Sequence, residues 1–289
     1  MPDKFAATWV SHSSIAAFRR CPRAYFLGNV YKDPTTNHKI QLVSPALALG
    51  QTVHEVLESL SVLPGEERFK RSLIDRFDTV WKKVSGKRGG FTSEGQEMQF
   101  KHRGEEMLRR VMASPGPLKN KAVKIKADLP QYWLSESDEI ILCGKIDWLE
   151  YLPEQDAVHI IDFKTGKNEE DANSLQLPIY HLLVHNTQSR TVAKVSYWYL
   201  GSSDELQEKE LPSLQIAEET VLHIAKQMRL ARKLGVFKCP QGEGGCFACS
   251  KLEKIVRGEA VFIGESEYRQ DQYYIPDEQA DGEDDSYLI

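Results

Sequence analysis

The sequence predicts an α/β fold, a mixed central sheet flanked by helices, and three observations lead there. Strand-like apolar runs fall between residues 122 and 201, where "AVKIKADL", "EIILCGKIDWLEYL", "AVHIIDFKT" and "AKVSYWYLG" follow one another. Segments with the 3.6-residue helical period surround and interrupt that block, at 46–62, 174–186 and 214–235. The second and third strands are joined by "PEQD", a hairpin-length turn.

The elements follow in order. "SHSSIAAFRR" (11–20) opens on capping residues and sets Ile15 and Phe18 at helical spacing, which predicts a short helix ending near Pro22. "AYFLGNVY" then continues as apolar packing material. In 46–62 the residues Leu49, Val53, Val56, Leu57 and Leu60 recur with the helical period. From 66 to 115 the pattern is helical, charged and broken by "GKRGG", so a helical insertion is expected at about 61–118. The four strands come next, at 122–129, 139–152, 157–165 and 193–201, with a helix at 174–186 that tolerates Pro178 near its first turn. A long helix at 214–235 leads into a loop-rich cysteine knot at 237–251. The expected organisation is one domain over 1–264 and an acidic, disordered tail over 265–289.

With 289 residues, 41% hydrophobic and 27% charged, the chain has the composition of a soluble globular protein with room for a large core. No apolar run approaches the roughly 20 residues that a membrane-spanning helix needs. No secretory signal is visible, and a cytoplasmic location is expected, where five cysteines suit thiols or metal ligands better than disulfides. The net charge of −5 is uneven: the last thirteen residues hold six acids and no base, and without them the balance is 37 bases to 36 acids. Basic stretches at 81–90, 101–110 and 119–126 are then candidates for phosphate contacts or solvated helix faces. There is no G-x-x-x-x-G-K-[ST] phosphate loop, which excludes a P-loop motor.

The chemistry concentrates in "GKIDWLE" and "IIDFKTGK". Asp162 and Lys164 lie two apart on a strand and so point to one side, while Ile161 and Phe163 point to the other. Asp147 lies on the neighbouring strand of the hairpin, so two carboxylates and a lysine are expected to meet on the sheet. Carboxylates brought together repel unless a divalent cation binds between them, and hard oxygens suit Mg²⁺ or Mn²⁺. Such an ion polarises a phosphoryl oxygen and acidifies water, and an adjacent lysine orients that water or stabilises developing charge. The competing explanation is an ordinary surface ion pair.

Five ordered pieces resemble the RecB-type nucleases of the PD-(D/E)XK superfamily. They are "SHSSIAAFRRCPRAYFL", "GQTVHEVLE" with His54, "GKIDWLE" with Asp147, "IIDFKTGK" with Asp162 and Lys164, and "QLPIYHL" with Gln176 and Tyr180. The resemblance implies a restriction-endonuclease-like fold and a divalent ion held by His54, Asp147, Asp162 and the Phe163 carbonyl. It also implies that Lys164 serves the attacking water, and that Gln176 and Tyr180 contact substrate or hold Lys164. His181 and His185 share a helical spacing but have no metal-ligand company, and are read as ordinary.

Cys239, Cys246 and Cys249 form C-x6-C-x2-C in a glycine-rich loop, and Cys21 lies far upstream in "RRCPRAYF". Four thiolates suit either Zn²⁺ or a 4Fe-4S iron–sulfur cluster. The resemblance implies the iron–sulfur branch, which includes CRISPR adaptation exonucleases and the nuclease domains of recombination helicase–nucleases, with zinc as the alternative. Cys143, inside a strand, is read as a buried hydrophobe. The expected function is a metal-dependent DNA exonuclease on single strands or ends. Its implied settings are CRISPR spacer acquisition beside an integrase, or recombination and repair beside a helicase. Lys82, Lys83, Lys87 and Arg88 are candidates for phosphate contacts. The alternative is a non-catalytic DNA-binding scaffold in a larger complex.

Overall fold

A computed structural model of the chain describes residues 3–125, 127 and 129–276. In chain order the elements are β1 (Thr8–Val10), α1 (His12–Arg20), α2 (Pro22–Tyr25), β2 (Lys39–Leu42), α3 (Pro45–Glu58), α4 (Leu73–Trp81) and α5 (Glu94–Ala113). Then come β3 (Gln131–Ser135), β4 (Ile140–Cys143), β5 (Trp148–Leu152), β6 (Ala157–Lys164), α6 (Gln176–Thr187), β7 (Val192–Tyr199) and β8 (Gln207–Lys209). The last are α7 (Leu214–Leu234), α8 (Phe247–Val256), β9 (Val261–Glu265) and β10 (Gln270–Tyr274).

The strand that matters most is β6. It lies inside the sheet β5-β6-β7-β8, antiparallel to β5 and parallel to β7. Seven of its eight residues are buried, which is why "AVHIIDFK" reads as an almost unbroken run instead of an alternation. Its two faces serve two cores. Val158 and Ile160 pack with Leu177, Ile179 and Val221 of α6 and α7, whereas Ile161 and Phe163 pack with Val53, Leu57, Phe77 and Leu108 of α3, α4 and α5. Burying Ile, Leu or Phe side chains contributes roughly 1.5–3 kcal/mol each, so this double burial fixes the register of β6.

Helix α3 starts because Ser44 accepts from the Leu47 N–H at 3.2 Å and Pro45 occupies the first helical position. From α3 to Lys119 the chain is mostly helical, and Arg68 binds that segment together from within. It is 3% exposed, and its guanidinium donates to the carbonyls of Leu60, Leu63, Leu118 and Asn120 at 2.6–3.0 Å while lying 4.9 Å above the Trp148 ring.

The architecture is the mixed α/β arrangement expected, with four corrections. The strands form three hydrogen-bonded sheets, not one: β1-β4-β3, β2-β10-β9 and β5-β6-β7-β8. The run 139–152, expected as one strand, breaks between Cys143 and Trp148 into β4 and β5. A Cβ on Gly144 would stand 2.9 Å from Leu183 Cδ1, so the backbone passes hard against α6 there and crosses from one sheet to another. Of the strand expected at 122–129, the described residues form one bridge, Ala122 to Glu150, and β4 takes β3 as its antiparallel partner. Finally, the tail expected from 265 is ordered further on: β10 runs parallel to β2 and antiparallel to β9. Its buried Asp271 accepts from Thr36 Oγ1 at 2.6 Å and pairs with His38 Nδ1 at 3.0 Å. An acid that composition assigns to solvent is thus a structural anchor. The acidic residues 277–289 lie outside the described residues. Among the described residues no helix is long and apolar enough to cross a membrane.

Candidate active site

The break before β5 has a chemical consequence. Asp147 sits on the bend, not on a strand, and turns its carboxylate toward α3. Its Oδ1 lies 3.2 Å from His54 Nδ1, and its Oδ2 accepts from the Phe163 N–H at 2.9 Å. The Phe163 ring points the other way, into the core under α3–α5. Glu58, one helical turn beyond His54, completes a group in which ligand atoms of His54, Glu58 and Asp147 all lie within 4.8 Å of one another. Lys145 forms an ion pair with Glu58.

On β6, Lys164 Nζ lies 3.1 Å from Asp162 Oδ2 and 2.9 Å from Glu170 Oε2, and it also donates to Gln176 Oε1. Gln176 in turn donates to Asp162 Oδ1 at 2.7 Å and to the Tyr180 hydroxyl at 3.2 Å. The i, i+4 spacing of Gln176 and Tyr180 therefore props the lysine–aspartate pair from one helix face. His54, Asp147, Asp162, Lys164, Gln176 and Tyr180 all line one cleft of about 1870 Å³. Of the basic residues singled out in 81–90, Lys83 and Arg88 reach this cleft, and Lys82 and Lys87 do not line it. Lys83 is already paired with Glu55 at 2.8 Å.

The charges are unevenly poised. Burial disfavours the His54 imidazolium, but the Asp147 carboxylate beside it prevails and its pKa is raised to about 9. Burial likewise works against ionised Asp147, and His54 outweighs it, holding that carboxyl low. Burial pushes Asp162 up to about 7; Lys164 opposes this and the Asp147 charge adds to it. Lys164 stays firmly protonated, since Asp162 and Glu170 overcome its burial. His12, which faces Lys164 and Glu170, is lowered to about 4, first by burial and then by the lysine charge.

A divalent cation fits this donor set. Asp162 Oδ2 is buried and has no hydrogen bond of good geometry beyond its ion pair with Lys164. The three carboxylates supply the hard oxygens that Mg²⁺ or Mn²⁺ prefers, His54 adds a nitrogen beside them, and a cation would offset the burial and the Asp147 repulsion that raise Asp162.

Glu58, Lys145, Glu170 and His12 were not singled out from sequence. Glu58 left a trace, the His-x-x-x-Glu spacing of "HEVLE"; the other three left none, because Lys145 and Glu170 come in on loops and His12 at the first residue of α1. A different constellation, Glu150–His159–Ser196, has the hydrogen-bond order of a hydrolase triad at 2.9 and 2.8 Å. Ser196 has no exposed surface, so no substrate reaches its oxygen, and the chain of bonds serves to tie β5, β6 and β7.

The second donor cluster stands apart from the cleft. Cys21, Cys239, Cys246 and Cys249 bring their sulfurs within 4.8 Å of one another, and Cys21, Cys239 and Cys249 are buried. Cys21 caps α2 and receives the Ala24 N–H at 3.4 Å, while the Cys246 N–H donates to Cys249 Sγ at 3.1 Å. A Cβ on Gly245, whose φ is +78°, would sit 3.1 Å from Cys249 Sγ, so glycine is needed for the loop to wrap the sulfurs. Burial pushes the Cys21 thiol up to about 12, whereas backbone N–H groups prevail over burial at Cys246 and bring it down to about 7. Four converging sulfurs met by backbone donors fit a thiolate-bound metal. Cys143 lies outside the group, buried on β4 with Sγ 3.5 Å from the Val10 carbonyl. Arg23 fastens the same corner, reaching Glu253 and the Glu243 carbonyl at 3.0 Å each.

No curated protein matches the chain. A sequence model of the PD-(D/E)XK nuclease superfamily matches residues 9–251, a span holding His54, Asp147, Asp162, Lys164, Gln176 and all four clustered cysteines. Covering most of the chain, that match joins the paired acids and lysine of the cleft to one lineage: the chain belongs to the PD-(D/E)XK nuclease superfamily.

Proposed function

We propose that this protein is a divalent-metal-dependent DNA exonuclease of the RecB type, acting on single strands or ends. The observation that carries the reading is the junction in one cleft of the Asp162–Lys164 pair with the His54–Glu58–Asp147 group. His54, Asp147, Asp162 and the Phe163 carbonyl would hold Mg²⁺ or Mn²⁺, and Glu58 stands close enough to join them. Such an ion, when bound, offsets phosphate charge and lowers the pKa of water.

The residues of the chain do the rest. Lys164 orients the attacking water, and its ammonium meets the charge that develops on the phosphoryl oxygens. Gln176 holds both Lys164 and Asp162, so neither swings when substrate arrives, and Tyr180 backs Gln176. The Phe163 N–H fixes Asp147 in the orientation that faces His54.

At the other end of the molecule the four cysteines would hold a metal that closes the fold. The resemblance favours a 4Fe-4S cluster. The sulfur spacing favours zinc, because a tetrahedron with Zn–S bonds of about 2.3 Å has edges of about 3.8 Å, whereas each cysteine of a cluster binds a separate iron. Cys246 and Cys249 sulfurs are 3.8 Å apart. The setting in which such an exonuclease would act is CRISPR spacer acquisition, or recombination and repair beside a helicase.

The test is cleavage of 5′- and 3′-labelled single-stranded DNA with Mn²⁺, wild type beside Lys164→Ala, with an absorption spectrum and metal analysis of each preparation. Stepwise shortening from one end, lost in the variant, supports the reading. Cleavage that persists in Lys164→Ala refutes the assigned site, and internal nicking refutes the exonuclease. A broad visible absorption band with bound iron decides for the cluster, and a colourless protein with one zinc per chain decides against it.

A further inference from the structure

The tip of the β9–β10 hairpin, ordered where a solvated tail is expected, carries an aromatic ring into the same cleft. Tyr268 is 84% exposed and lines the cleft that holds Asp162 and Lys164. A single exposed ring is ordinary by itself; this one is set apart by its place on the wall of the cleft.

The support is rigid. Ser266 organises the turn: its Oγ accepts from the Tyr268 N–H at 3.3 Å and the Gln270 N–H at 3.1 Å, and its own N–H donates to the Gln270 carbonyl at 2.9 Å. Of the tip's acids, Glu267 lies 4.0 Å from the Lys83 ammonium, which tempers its charge toward a polyanion. Lys145, which pairs with Glu58 of the donor group, lines the same cleft as Tyr268, so the ring shares one space with the candidate cleavage site. Around the same cleft, Arg19 and Arg88 are exposed and have no acidic partner among the described residues.

A flat aromatic face next to a phosphate-handling centre, with unpaired guanidiniums along the walls, matches one class of ligand. Single-stranded nucleic acid offers bases free to stack and a backbone that tracks positive charge. The cleft, at about 1870 Å³, exceeds the roughly 300–1,000 Å³ typical of small-molecule sites. We propose that Tyr268 is a base-stacking subsite that holds an unpaired nucleotide beside the donor group, so that the cleft selects single-stranded DNA. This rests on the nuclease reading above and adds a specificity-determining residue to it.

The experiment measures binding, not turnover. Fluorescence anisotropy with labelled oligothymidylate of about 12 nucleotides, in calcium to forestall cleavage, compares wild type with Tyr268→Ala, Tyr268→Phe and Tyr268→Trp. Tyr268→Ala is expected to weaken binding roughly 5- to 150-fold, the effect of losing one base–aromatic stack. Phe and Trp should keep the affinity, and binding of a blunt duplex should be the same in all four proteins. If Tyr268→Ala binds the oligonucleotide as tightly as wild type, or if it loses duplex binding equally, the stacking subsite is wrong and the nuclease reading stands. If wild type binds no DNA at all, the reading beneath the subsite falls with it.

Discussion

Replacing Cys21 by serine tests the cysteine clasp most directly. Cys239, Cys246 and Cys249 sit within one short segment, whereas Cys21 is 218 positions before the first of them. Removing its thiolate leaves three local ligands but opens a loop that spans most of the chain. The closure entropy of a loop of about 220 residues corresponds to about 5 kcal/mol, comparable with the whole net stability of many domains. For a chain of this length each kcal/mol moves the melting temperature by about 2 °C, so Cys21→Ser should melt about 10 °C below wild type. The Arg23–Glu253 pair still spans the same gap but is a quarter exposed on each side, and it replaces little of that closure. The assay is thermal unfolding by circular dichroism, with metal content measured on the same samples and Cys143→Ser as the control outside the cluster. A Cys21→Ser protein that retains wild-type metal and melts within about 2 °C of wild type would refute the closure argument.

Two further outcomes follow from the same contacts. The His54 imidazolium, raised to about 9 beside Asp147, contributes stability that is fully present below pH 6.5 and is lost as pH rises through 9. Thermal melts in EDTA should therefore fall between pH 6.5 and 9 for wild type and stay flatter for His54→Gln; parallel curves would contradict this assignment. Arg68→Met leaves four carbonyls in the helical segment without their donor, and at about 1 kcal/mol each the loss should be about 4 kcal/mol. Urea unfolding measures it, and a loss below about 1 kcal/mol would mean that water or a neighbour takes over those acceptors.

What was legible in the sequence was whatever repeats or alternates over enough residues. Residues 46–62 and 214–235 show the helical period and 157–165 a bounded, mostly apolar run, and α3, α7 and β6 appear there. The Asp162–Lys164 pair was visible because alternation along a strand decides which side chains share a face. What stayed hidden depends on distant partners. β1 and β2 are three and four residues long, and each is a strand only because β4 or β10 lies beside it. β10 was concealed by its own composition, since no local pattern announces that Asp271 will be buried on His38 and Thr36. In the cleft, Lys145 and Glu170 arrive on bends whose course is set by packing, Lys145 just past the close approach of Gly144 to α6. The near-neighbour spacing of His54 and Glu58 was readable; the ion pair of Lys164 with Glu170 was not.

The parallel pairing of β2 with β10 and the meeting of Cys21 with Cys239, Cys246 and Cys249 make the folded chain topologically circular, joined by a seam of clustered sulfurs and hydrogen bonds in place of a peptide link. Everything the cleft needs for chemistry, from His54 to Tyr180, is enclosed inside that circle. A polypeptide cut or halted before residue 238 possesses the acids, the lysine and the glutamine yet lacks the seam, the β9–β10 roof and Tyr268. The segment from Cys239 to Tyr274 is thus what closes the ring around the reactive groups.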